Sequence, residues 1–349
     1  MTEEEKISVL IVDDSPISRE VLQTIIETSP DFEIVGLATN GEEAIDAVDE
    51  LRPDIVTMDL NMPIMNGYEA IENIMAYNPT PILVVTTAEF EKDTNIAFEA
   101  LAVGALDIIN RPQIPDDMDE DIGEDAQEFL NKLRMLSKVG VITHVRGKLS
   151  RKAKVGGYQR SVQKLVVIGS STGGPKALKE IFDNLPPDFE TPIVAVQHMS
   201  DGFIPGLVKW LDSSSPLSVQ IAEDGAQIES GNVYIAPTGF HLTIKKSGIL
   251  EMVDLPPVNG IKPCADFLFE SAARVYGSKV LAVILSGMGD DGAQGSSAIK
   301  ASGGKIIVQD KATSVIFSMP QNVINRGCAD AVKPITEIAD EIQKQLTYY

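Results

Sequence analysis

The sequence predicts an α/β protein built from two doubly wound parallel-sheet domains joined by a linker. Three observations carry this expectation. Short apolar runs alternate with amphipathic stretches along most of the chain, as buried parallel strands alternate with crossover helices. Opposite-sign charge runs and glycines interrupt that alternation in the middle. A length of 349 residues exceeds what a single hydrophobic core usually serves.

Taken in order, "ISVLIV" reads as a buried strand, and "SPISREVLQTIIETS" places Val21, Leu22, Ile25 and Ile26 on one helical face. "FEIVGLA" and "DIVTMDL" read as strands around the helical "GEEAIDAVDELR". "YEAIENIMAYN" is helical, "PILVVTT" a strand, "TNIAFEALAVGA" a helix and "LDIIN" a short strand. Such a series gives a five-stranded parallel sheet covered on both faces. The stretch that follows joins the acidic "IPDDMDEDIGEDAQEF" to the basic "RGKLSRKAKVGGYQR", with the short helix "AQEFLNKLRMLSK" between them. We place a first domain at 1–125, a linker at 126–160 and a second domain at 161–349. In the second domain "KLVVIG", "TPIVAVQ", "LAVILSG" and "GKIIVQD" are continuous apolar strands. "GNVYIAPTGFHLTIKKSGILEMV" alternates and carries turn residues, so a β-hairpin inserted into that sheet is expected.

Composition excludes several function classes. A net charge of −22 repels nucleic acid phosphate, so no nucleic-acid partner is expected. Apolar runs are too short to span a bilayer, and the acidic start "MTEEEK" is unlike a secretory signal. Neither membrane insertion nor export is expected, and the location is cytoplasmic. The two cysteines, Cys264 and Cys328, lack metal-ligand or redox spacing and are read as reduced thiols.

Asp13 and Asp14 follow the first strand and Asp59 follows the third. In an open parallel sheet the residues beyond the carboxyl ends of neighbouring strands share one crevice. Carboxylates gathered there repel unless a cation neutralises them, and oxygen-ligated Mg²⁺ fits. Thr86 and Arg111 end strands on the same rim, the first with a hydroxyl and the second with positive charge. An Asp-Asp pair alone is more often a helix cap. The set "VDDS", "MDLNMP", "VVTT" and "NRP" in this order resembles the flavodoxin-like receiver domain of two-component response regulators. The resemblance implies phosphorylation of Asp59 and Mg²⁺ held by Asp13, Asp14, Asp59 and the backbone carbonyl of Asn61. It implies Thr86 as the switch hydroxyl, with Arg111 in place of the family's lysine.

The stretch "VVIGSSTGGP" drives a buried strand into hydroxyls flanked by glycines. Such a turn either wraps a phosphate with backbone N–H groups or exposes a nucleophilic serine; Gly169 to Gly173 match G-x-S-x-G, with a helix starting near Pro175. A serine needs a base, and the chain has three histidines. His144 falls in the linker, and His241 in the hairpin segment suits a structural hydrogen bond. His198 ends the strand "TPIVAVQ" on the rim shared with Ser171. A carboxylate to orient the base is available from Asp290 or Asp291, after the strand "LAVILS". Three separate strands thus deliver a hydroxyl, an imidazole and a carboxylate to one edge. Their chain order differs from the Ser, Asp, His order of α/β-hydrolases.

"IGSSTGGP", "VQHM", "YIAPTGFHL", "SGMGDDGA" and "SMPQNVI" together resemble the catalytic domain of the CheB family of chemotaxis protein-glutamate methylesterases. With the receiver-like first domain the likeness covers essentially the full chain. It implies Ser171 as nucleophile, His198 as base and Asp291 as orienting acid. It also implies the Met288 N–H as oxyanion donor, between Gly287 and Gly289, with Thr172 adding polarity. "PVNGIKPCADFLF" corresponds to a substrate-groove segment, where other members carry a basic or histidine residue near the position of Ile261; here Ile261 and Lys262 stand there. The expected activity is hydrolysis of glutamate methyl esters on chemoreceptor cytoplasmic domains, with methanol released, and deamidation of receptor glutamines. A chemotaxis histidine kinase would supply the phosphoryl group, and the catalytic domain would need no cofactor. The rivals are a domain that only docks receptors and a nucleotide site at "GSSTGG". The latter lacks both P-loop and dinucleotide glycine spacing.

Overall fold

A computed structural model of the chain describes residues 6–86, 91–113, 122–141 and 164–347. Two units divide it, residues 1–147 and 148–349. In the first, β1 (Ile7–Val12), α1 (Pro16–Glu27), β2 (Phe32–Ala38), α2 (Gly41–Leu51) and β3 (Ile55–Met58) follow in order. Then come α3 (Gly67–Tyr77), β4 (Ile82–Thr86), α4 (Glu91–Val103), β5 (Asp107–Asn110) and α5 (Glu124–Leu136). The strands form a parallel sheet of order β2-β1-β3-β4-β5. The order reverses at β1, which opens a crevice beyond the carboxyl ends of β1 and β3.

Local chemistry sets the helix starts. Ser15 caps α1 by accepting from the Ser18 N–H, with Pro16 in the first turn. Asn40 caps α2, while Glu43 reaches back to the Thr39 N–H at 2.7 Å. α5 overlaps the stretch that the sequence reading gave to the linker. Its apolar stripe Phe129, Leu130, Leu133 and Leu136 is buried, and the helix packs on β4 and α1, so it belongs to the first unit. The charge-reversing remainder of the expected linker, with His144, lies outside the described residues.

The second unit contains β6 (Leu165–Ser170), α6 (Gly174–Asn184), β7 (Ile193–Gln197), α7 (Ile204–Ser214), β8 (Ser218–Ile221) and β9 (Asn232–Ile235). It continues through β10 (His241–Lys245), β11 (Ile249–Val253), α8 (Ala265–Tyr276), β12 (Val280–Ile284) and α9 (Ala293–Ala301). β13 (Lys305–Gln309), α10 (Ser318–Asn325), β14 (Ala331–Lys333) and α11 (Ile335–Thr347) complete it. Seven strands form a parallel sheet of order β14-β13-β12-β6-β7-β9-β8. β6, β7 and β12 are buried along their whole length, as strands covered on both faces must be. α6 packs with α7 and α11, and α8 packs with α9 and β10.

The segment expected as a hairpin inserted into this sheet divides in two. Asn232–Ile235 is itself a parallel strand of the sheet, whereas β10 and β11 pair antiparallel in a separate two-stranded sheet. Ser247 and Gly248 hold positive φ at the hairpin turn. The strand order reverses at β6, which lies between β12 and β7. That reversal fixes where the chemistry gathers.

Candidate active site

Register aligns the ends of three central strands. Gly169 pairs with Ile284 of β12 and Ser170 with Gln197 of β7, so Ser171 and His198 emerge side by side. The His198 N–H donates to the Ser170 carbonyl at 2.9 Å. Ser170 is fully buried, and its hydroxyl donates to Gln197 Oε1 at 2.7 Å. It is a structural residue, which leaves Ser171 as the hydroxyl at the turn. Gly173 sits at φ 78, the left-handed turn that the elbow needs, and α6 begins at the next residue.

Gln197 was not singled out by the sequence reading, yet it braces the turn. Its buried amide donates to the carbonyls of Ser171 at 2.8 Å and His198 at 2.7 Å. A Cβ on Gly174 would meet Gln197 Oε1 at 2.1 Å, so only glycine lets α6 approach. Ser286 is a second unforeseen brace: its hydroxyl donates to the Thr172 carbonyl at 2.7 Å, and its carbonyl accepts the Ser171 N–H at 3.0 Å. The signal for both was present, since each is a polar residue ending an apolar strand beside a candidate catalytic residue.

His198 Nε2 lies 2.7 Å from Asp291 Oδ2. Asp291 is 5% exposed, whereas its neighbour Asp290 is exposed, so the second of the pair reaches the imidazole. Burial alone would raise the Asp291 carboxyl, but bonds from His198, Cys264 and the Ala265 N–H outweigh it and bring the group down to about 2. The Asp266 and Gly292 N–H groups donate as well, at 3.0 and 2.8 Å. Ala265 and Asp266 open α8, so the carboxylate also occupies a helix N-terminus. Among the described residues no hydrogen bond joins the Ser171 hydroxyl to His198; Nδ1 is the ring nitrogen left clear of Asp291.

Gly287 abuts the serine: a Cβ there would fall 2.8 Å from Ser171 Cβ. The Gly287 and Gly289 N–H groups donate to the Ile316 carbonyl and the Ser318 hydroxyl, both at 2.9 Å. The Met288 N–H between them has no acceptor among the described residues. Thr172 is buried beside Ser171. His241 takes the structural role expected of it, fully buried and bonded through both ring nitrogens. Lys262 contacts Asp254 at 2.6 Å and lies 5.8 Å from the Phe240 ring centroid. Both cysteines are free and buried.

In the first unit, ligand oxygens of Asp13, Asp14 and Asp59 lie within 4.8 Å of one another. Burial and the neighbouring Asp13 push Asp59 up to about 6, against the opposing pull of Arg111; burial also raises Asp13. Arg111 Nη2 stands 3.0 Å from Asp13 and 3.6 Å from Asp59, and the Arg111 N–H donates to the Thr86 carbonyl at 2.9 Å. Thr86 is buried at the end of β4, and Asn61 is exposed after β3. Gly67 went unnoticed in the sequence: a Cβ there would meet the Asp59 carbonyl at 2.0 Å. Three crowded carboxylates, two of them held above their ordinary range, suit a hard divalent cation.

Comparison with known proteins places these two sites in context. Residues 166–342 match the family model for CheB methylesterase, and residues 9–123 match that for the response regulator receiver domain. The chain is 43% identical over 332 residues to protein-glutamate methylesterase/protein-glutamine glutaminase 2 of Anaeromyxobacter dehalogenans, covering 95% of each. It is also 43% identical over 346 residues to the Thermotoga maritima protein-glutamate methylesterase/protein-glutamine glutaminase, covering 96% of this chain and 97% of that one. The crystal structure of the Thermotoga maritima CheB methylesterase catalytic domain superposes with a TM-score of 0.51 at 46% identity, covering 53% of this chain and 98% of that one.

Proposed function

The chain belongs to the CheB methylesterase family, and from that premise we propose that it is a phosphorylation-regulated serine hydrolase acting on chemoreceptors. It removes methyl groups from receptor glutamate esters as methanol and converts receptor glutamines to glutamates. The observation that carries the reading is the 2.7 Å bond from His198 to an Asp291 carboxylate already fixed by backbone donors, beside a serine at a strand-to-helix elbow.

In this reading His198 Nδ1 takes the Ser171 proton as the oxygen attacks the ester carbonyl. Asp291 holds the ring through Nε2 and stabilises the imidazolium. The free Met288 N–H donates to the developing oxyanion, and its Gly287 and Gly289 neighbours are bonded in place around it. Thr172, whose carbonyl is fixed by Ser286, keeps the turn rigid. The imidazolium then protonates the departing methoxide, giving methanol and an acyl-serine. Water, deprotonated by His198, hydrolyses that ester and restores the serine. With a glutamine side chain the same steps release ammonia.

Asp59 is the phosphoacceptor of the first unit. A Mg²⁺ ion held by Asp13, Asp14, Asp59 and the Asn61 carbonyl would neutralise the oxygens of the transferring phosphoryl group. Arg111 supplies a cation at the same rim, and Thr86 a hydroxyl for the phosphorylated state. The partners are a histidine kinase as phosphodonor and the cytoplasmic domains of methyl-accepting receptors, which sets the location in the cytoplasm. No helix among the described residues is long and apolar enough to cross a membrane. Methanol release from a methylated receptor fragment tests the hydrolase: Ser171→Ala should bring it to background, and retained release would overturn the assignment.

A further inference from the structure

Asp291 receives one donor that the mechanism above does not use. Cys264 Sγ lies 2.9 Å from Asp291 Oδ1, and the thiol is buried. Cys264 is the residue that precedes α8, so its S–H and the next two N–H groups converge on one carboxylate. Burial and the Asp291 charge push the thiol up from its ordinary value, which keeps it protonated and able to donate.

Cys264 is itself held from behind. Its N–H donates to His241 Nδ1 at 3.2 Å, and His241 Nε2 donates to the Pro256 carbonyl at 3.1 Å. This pair of partners selects one neutral tautomer. The ring stacks on Phe267 with centroids 4.2 Å apart. The path from the buried imidazole through Cys264 to the catalytic acid is therefore continuous and has no rotor left unpaired.

The two carboxylate oxygens divide their work. Oδ1 accepts from Cys264, Asp266 and Gly292, while Oδ2 accepts from His198 and Ala265. Removing the thiol donor frees charge to move toward Oδ2 and relaxes the carboxylate about its bond to Cβ. We propose that Cys264, anchored by His241, is a positioning residue whose S–H aims Asp291 at His198 and limits the charge on the oxygen that faces it. The proposal rests on Asp291 acting as the orienting acid.

The test uses the full chain and a methylated receptor fragment, with Cys264→Ala, Cys264→Ser and Ser171→Ala. Loss of one hydrogen bond to a charged group should lower kcat by about fivefold in the alanine variant and leave KM unchanged. The acid limb of the kcat/KM profile should move to higher pH, because an Oδ2 that carries more of the charge stabilises the protonated base more strongly. The serine variant, which restores an O–H donor, should recover most of the rate and return the limb. Burial holds Asp266 up at about 6, but it is present in both variants and cancels from their comparison. Cys264→Val keeps the volume without the donor and supplies the comparison if the alanine variant does not fold. Superimposable profiles for the alanine (or valine) and serine variants, with Ser171→Ala inactive, would overturn the positioning role alone. An active Ser171→Ala variant would instead overturn the hydrolase reading beneath it.

Discussion

The side-chain amide of Gln197 donates to the Ser171 carbonyl at 2.8 Å, tying the end of β7 to the turn that presents the serine. The same side chain accepts from Ser170 and donates to the His198 carbonyl, so one buried amide joins the segments that carry Ser171 and His198. Replacing it with leucine strands three buried partners. Gln197→Leu should lose roughly 2–4 kcal/mol of stability in urea unfolding. An undiminished midpoint would show that the turn holds without it.

Gly174 answers to the same contact. Its missing Cβ is what admits Gln197 Oε1, and an added methyl would also lie 2.8 Å from Ser170 Cβ. Gly174→Ala should cost about 1–3 kcal/mol through overpacking and slow methanol release, despite the better helix propensity of alanine. A variant as stable and active as the parent would mean that the elbow is softer than its packing indicates.

The Asp291 carboxylate fixes which nitrogen of His198 carries the proton. Asp291→Asn keeps the shape but offers an amide in place of the acceptor, and kcat at neutral pH should fall by roughly 10³–10⁴-fold with little change in KM. A loss below about tenfold would remove Asp291 from the catalytic group.

Asp291 also links pH to stability. Its carboxyl is brought down to about 2 in the folded chain, below the ordinary 3.8. A depressed value favours folding above the unfolded-state range, and the benefit disappears as pH falls through the folded value. The stability gap between wild type and Asp291→Asn should stay constant above about pH 5 and shrink by roughly 2 kcal/mol towards pH 2. A gap that does not narrow on acidification would contradict the lowered value.

Phosphorylation gives the regulatory check. With Mg²⁺ and a small-molecule phosphodonor, methanol release by the full chain should rise about tenfold, a population shift worth about 1.4 kcal/mol. Asp59→Asn should abolish the rise and retain the basal rate. In the proposed regulation the unphosphorylated first unit holds the hydrolase down, so removing residues 1–147 should raise activity without a donor. An inactive or unchanged fragment would argue against inhibition by that unit.

Much of this was legible in the amino-acid order. Continuous apolar runs such as "LVVIG" and "LAVIL" announced buried parallel strands because both faces of each are covered. That Ser171, His198 and Asp291 share one edge was legible because Ser171 and His198 directly follow such runs and Asp291 lies in the glycine-bearing turn beyond another. The hairpin was misplaced because alternation alone does not say which sheet a strand joins: Asn232–Ile235 entered the main sheet and its successors did not. α5 was given to the linker because charge runs dominated the window, although its apolar stripe at helical spacing marked a packed face. Gln197 and Ser286 were marked only by ending apolar strands, and the Cys264 contact with Asp291 joins residues distant in the chain, which leaves no local periodicity to read.

The opening of α8 on Asp291 has a consequence for how such a chain can drift. The carboxylate bonded to His198 also caps the start of a helix, so under the proposed mechanism one side chain carries two selective burdens. A lineage that abandoned hydrolysis and kept the domain as a scaffold would still be penalised for discarding that side chain. Its retention is therefore poor testimony to activity, and the fate of Ser171 is the better witness.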